Sequence, residues 1–87
     1  MNIAEFLNVN ARNYPYKAAI GFKVREEWKE LKWPVFRDMV FKTANALREA
    51  GIGEDDCVAI YSDNSAEWIT MDLAVLSLGA VTVPVYS

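Results

Sequence analysis

The sequence predicts an α/β fold, a partial layered sheet built from a β-hairpin and a parallel βαβ unit, and three observations predict it. Apolar residues recur at three- and four-residue spacing over about 2–13 and 34–50, the pattern of helices with one buried stripe, and a third helix over about 65–78 is marked by its caps. Over about 18–33 the period changes to two, the pattern of strands with one buried face. Within 57–85, two short runs, Cys57–Tyr61 and Val81–Val85, are apolar at nearly every position, which suits parallel strands covered on both faces.

Taken in order, Asn2 can cap a first helix whose apolar positions are Ile3, Phe6, Leu7, Ala11 and Tyr14, and Pro15 ends it. Ala18, Ile20, Phe22 and Val24 then point one way while Ala19, Gly21, Lys23 and Arg25 point the other. Glu26-Glu27 supplies a polar turn, and Trp28–Trp33 pairs back with Leu31 and Trp33 on its inner face. Pro34 suits the first turn of a helix. Phe36, Met39, Val40, Thr43, Ala44 and Leu47 form its apolar stripe, opposite Arg37, Asp38, Lys42, Asn45, Arg48 and Glu49. Gly51 stands where a left-handed residue ends a helix, Ile52 can supply the accompanying hydrophobic contact, and Gly53-Glu54-Asp55-Asp56 makes the turn out. Asn64 or Ser65 can cap the third helix, which runs to Leu78, and Gly79 closes it before the second apolar strand. The strand–helix–strand order implies a right-handed crossover.

Composition narrows the function classes. A chain of 87 residues with 53% hydrophobic and 24% charged residues is one small soluble domain or part of one. At this size only ~60% of the unfolded surface is buried on folding, so a core completed from outside the chain is expected. Net charge is −3, from twelve acidic and nine basic residues, with no basic stripe that could neutralise a run of phosphates, so nucleic acid is not an expected ligand. Cys57 is the single cysteine and histidine is absent, which excludes an internal disulfide, a His–Cys metal cluster and a histidine general base. The N-terminus has no basic region followed by an apolar run, so a cytoplasmic location is expected. The longest apolar tract, Leu73–Val85, contains Gly79 and Pro84 and falls short of the about 20 residues of a membrane span.

Few residues suggest chemistry. The one strand-to-helix loop, Ser62-Asp63-Asn64-Ser65, has no glycine and carries an acid, so it reads as a capped helix start and not as a phosphate loop. Glu54, Asp55 and Asp56 lack the alternating spacing of a calcium loop and read as a solvated turn. Cys57 reads as an inert core thiol. Trp28, Trp33, Trp68, Tyr61 and Tyr86 could wall an apolar ligand, Trp68 being the best placed, although aromatics at such spacing are usually core. No catalytic, cofactor-binding or metal residue is assigned, and Trp68 is the one weak candidate for substrate contact.

Read together, Gly51-Ile52-Gly53 with Cys57-Val58-Ala59-Ile60, the loop Ser62-Asp63-Asn64-Ser65 with Ala66-Glu67-Trp68, and Leu76-Ser77-Leu78-Gly79-Ala80-Val81-Thr82-Val83-Pro84-Val85-Tyr86 resemble the start of the AMP-binding, adenylate-forming enzymes, most closely the long-chain fatty-acid–CoA ligases. No one of these motifs is decisive; their collinearity over nearly the whole chain carries the resemblance. Two departures stand out. The family's usual turn has a glycine and an arginine where Asp55 and Cys57 stand, and its usual threonine cap before the second helix is replaced by Lys32.

The resemblance implies that residues 1–87 are the N-terminal part of an AMP-binding large domain. In the complete enzyme a fatty acid would attack the α-phosphate of ATP, and coenzyme A would then displace AMP from the acyl-adenylate, with magnesium assisting. The family's phosphate loop, its Tyr-Gly-x-Thr-Glu segment, its ribose-binding aspartate and the lysine of its C-terminal domain would all lie downstream of Ser87, so the segment is expected to be a scaffold, inactive and cofactor-free alone. Its expected partners are the rest of its own large domain and, in the complete enzyme, a fatty acid and at most a peripheral membrane surface. A reading from another class is a stand-alone interaction module that pairs through an unfinished sheet edge, and self-association of the isolated chain is expected on the same ground.

Overall fold

The computed structural model describes residues 2–61 and 66–85. Helix α1 spans Ile3–Asn13 and starts at Asn2, which has an extended backbone and whose side-chain oxygen accepts the Glu5 N–H at 2.8 Å. The Asn2 amide also donates to Glu5 Oε1 at 3.0 Å, so the cap and the third helical residue hold each other. Leu7 and Ala11 are its buried rungs.

Strands β1 (Ala18–Val24) and β2 (Glu27–Lys32) form the antiparallel hairpin. The turn is Arg25-Glu26, one residue earlier than the Glu26-Glu27 expected from polarity, and both residues have positive φ, 49° and 69°. A two-residue turn of that hand matches the twist of the flanking strands, although Asn and Gly fill it far more readily. The strict alternation expected for β1 also fails. Ala18 faces Lys32 but Ile20 faces Leu31, so Ala19 is an extra residue on this strand, and both Ala19 and Ile20 reach the core. Trp33, expected as the last inner residue of the second strand, instead opens helix α2 (Trp33–Glu49).

In α2, Phe36, Val40 and Ala44 are buried and Met39, Thr43 and Leu47 are half-buried, as the stripe requires. The helix ends at Gly51, φ 99°, where the Gly51 N–H donates to the Arg48 carbonyl and the Ile52 N–H to the Leu47 carbonyl, both at 3.0 Å. This is the Schellman ending. Helix α3 (Ala66–Ser77) ends the same way around Gly79, φ 75°, with Gly79 donating to Leu76 at 3.1 Å and Ala80 to Val75 at 3.3 Å. The expected caps Asn64 and Ser65 lie outside the described residues.

Strands β3 (Cys57–Tyr61) and β4 (Val81–Val85) pair in parallel, Cys57 beside Val81 through Tyr61 beside Val85, with α3 as the crossover. Among the described residues the two sheets are separate and two-stranded. The main core lies among the helices, where Leu7 of α1, Phe36, Val40 and Ala44 of α2 and Ala74 of α3 meet, closed over by Ile20, Leu31 and Trp33. Phe6 and Phe36 each set an edge against Trp33, with ring centroids 5.7 and 6.4 Å away.

The expectation that β3 and β4 are covered on both faces is corrected here. Ile60 is buried and Val58 and Thr82 are half-buried on the side that α3 covers. On the other side Cys57, Ala59, Tyr61, Val81 and Val83 are exposed, Tyr61 by 79%. The physical reason is supply: among the described residues α3 is the helix that packs on the pair, and one helix covers one face. Cys57 is accordingly an exposed thiol and not a core one.

Candidate functional site

The sequence singles out Trp68, and the structure places it at the third position of α3, half-buried, in the wall of a cleft of about 480 Å³. One side of the cleft is β1 from Ile20 to Val24 and the other is the first turn of α3 from Ala66 to Ile69. Among the described residues β1 pairs only with β2, so its second edge has no strand partner. The lining is mainly apolar, with Lys23 and Glu67 as the charged groups. Lys23 is already engaged, 3.5 Å from Glu26 and 5.8 Å from the centre of the Trp28 ring. A cleft of this volume can hold a small apolar group, but its described lining residues bring no nucleophile or general base together with an activating partner.

The other described aromatics singled out with Trp68 do not line the cleft. Trp28 is 74% exposed on the hairpin, Trp33 belongs to the core, Tyr61 lies on the open face of β3, and Tyr86 lies outside the described residues. Among the described residues no aromatic wall forms from them. The hydroxyl of Thr70, buried below the cleft turn, donates back to the Ala66 carbonyl at 2.7 Å and is spent on the helix itself.

The acidic turn has a structural role. Glu54, Asp55 and Asp56 are exposed; the Asp56 carboxylate accepts the Gly53 N–H at 2.7 Å, and the Asp56 carbonyl accepts the Val81 N–H at 2.7 Å. These bonds tie the entry of β3 to the entry of β4. Among the described residues no group of three His, Cys, Asp or Glu side chains could hold a metal ion, and no strand leads through a glycine-rich turn into a helix N-terminus. The described residues therefore do not fit a nucleotide phosphate or its magnesium ion. Nor is any helix among them long and apolar enough to cross a membrane, since Leu73–Val85 divides into the end of α3, the Gly79 turn and β4.

Comparison with known proteins gives the arrangement its context. Across 84 residues the chain is 31% identical to indoleacetate–CoA ligase of Aromatoleum aromaticum, a match covering 97% of this chain and 16% of that protein. Across 85 residues it is 28% identical to a long-chain-fatty-acid–CoA ligase of Mycobacterium bovis, covering 98% of this chain and 14% of that one. Its fold superposes with a TM-score of 0.87, at 20% identity, on fatty acyl-adenylate ligase from L. pneumophila, solved with acyl adenylate and pyrophosphate; the match covers 98% of this chain and 15% of the other. The chain thus spans about a sixth of the proteins it matches. Residues 7–87 match the AMP-binding enzymes throughout, and the chain belongs to that family of adenylate-forming ligases.

Proposed function

We propose that this chain is the N-terminal scaffold of the large domain of an acyl-CoA synthetase. The complete enzyme would convert a fatty acid and ATP to an acyl-adenylate and pyrophosphate, and then transfer the acyl group to coenzyme A. The observation that carries the proposal is the family match over residues 7–87, joined to 28% identity along 98% of the chain with a fatty-acid ligase. ATP, magnesium and coenzyme A would be held by other parts of the enzyme, because the residues described here offer neither a phosphate loop nor a metal-ligand cluster. We assign this segment no catalytic residue, and only Trp68 a candidate contact to the apolar part of the substrate.

The segment's own contribution is architectural. Three helices and the hairpin build a core independent of β3–β4, and the hydrogen bond from the Asp55 N–H to the Gly79 carbonyl joins the turns that enter the two parallel strands at their amino ends. The uncharged outer face of that pair is where the rest of the domain would pack and extend the sheet. No observation favours the stand-alone interaction module over this reading.

The test is ATP–pyrophosphate exchange. A complete protein carrying this segment is expected to exchange in the presence of long-chain fatty acids, and the isolated 87-residue chain is expected to give no signal above a mock-purified control. Exchange that responds to an arylacetate and not to fatty acids would overturn the substrate assignment, and exchange by the isolated chain would overturn the scaffold role.

A further inference from the structure

We draw no further inference here: the strongest candidate, the exposed apolar face of the parallel pair formed by Cys57, Ala59, Tyr61, Val81 and Val83, belongs to the surface already given to the rest of the domain, and nothing in the structure shows any other occupant.

Discussion

The backbone N–H of Asp55 donates to the carbonyl of Gly79 at 3.0 Å, and both residues hold left-handed backbone, with φ of 66° and 75°. Two turns far apart in the chain, one entering β3 and one entering β4, are thus locked together at the amino ends of the parallel strands. The approach is close: a Cβ on Gly79 would sit 3.4 Å from Glu54 Cγ and 3.6 Å from Glu54 Cα. Gly79 is the fitting residue for its conformation, whereas Asp55 holds the same conformation with a side chain attached.

That asymmetry predicts opposite effects of two substitutions. Asp55→Gly should stabilise the fold by about 0.5–1 kcal/mol, because a left-handed non-glycine residue costs of order 1 kcal/mol, only part of which is returned through the freer unfolded chain. Gly79→Ala should destabilise it by about 1–2 kcal/mol through backbone strain. Urea melts measure both, and a lowered midpoint for Asp55→Gly would refute the account of strain at this turn.

Lys32 precedes α2 with an extended backbone, φ −76° and ψ 158°, and makes no side-chain cap; the first turn of the helix also lacks an acidic residue. Lys32→Thr should therefore gain about 1 kcal/mol by supplying an oxygen to the Val35 N–H, since Pro34 has none and the Trp33 N–H already donates to the Lys17 carbonyl at 3.2 Å. Lys32→Ala serves as the control, since it removes the positive charge from the positive end of the helix but adds no acceptor. Equal gains from the two variants would assign the effect to charge and not to capping.

Thr82 Oγ1 is buried on the covered face of β4 and has no hydrogen-bond partner among the described residues. Thr82→Val replaces the hydroxyl by a methyl of similar size and should stabilise by about 1 kcal/mol, the cost of an unmet buried polar group. Thr82→Ser keeps the unmet hydroxyl, loses a methyl and should destabilise by a similar amount. Thermal melts in which Val proves the weaker of the two would show that the hydroxyl has a partner in solution.

Both strands of the parallel pair have an unpaired edge among the described residues, and their outer face carries Tyr61, Val81 and Val83 exposed by 79%, 50% and 42%. No lysine or other charge guards that face. Removing such area from water gains about 25 cal/mol per Å², so the isolated chain should self-associate at micromolar concentration. Tyr61→Lys combined with Val83→Lys should return it to monomer. Sedimentation velocity decides between these outcomes: a sharp wild-type monomer with a fixed near-ultraviolet signal and a cooperative melt would mean that the pair needs no cover.

Much of this was legible in the residues because the signals are local. Asn2 as a cap, Pro34 in a first turn, and Gly51 and Gly79 as left-handed endings each act within about one helical turn, so their neighbours in sequence suffice to read them. The first two helices follow from periodicity for the same reason, the third helix from its caps and the parallel pair from two short apolar runs. The extra residue at Ala19 was not legible. It exists because Ala19 and Ile20 both meet the helical core, and only packing shows which face of a strand is offered that contact. The turn at Arg25-Glu26 was missed by one residue because its positive φ values are imposed by the strand pairing and not by either residue's preference.

The candidate site divides in the same way. Sequence alone placed Trp68 at the start of a helix, and the family resemblance carried by Gly51 through Tyr86 set the chain among the adenylate-forming enzymes. Only the tertiary structure decided that Trp68 faces β1 across a cleft, that Trp33 lies in the core apart from it, and that Cys57 is exposed. The apolar composition of β3 and β4 specifies strands fit to be covered on two faces. How many faces are covered depends on which elements are present to pack, and here that is one helix on one side.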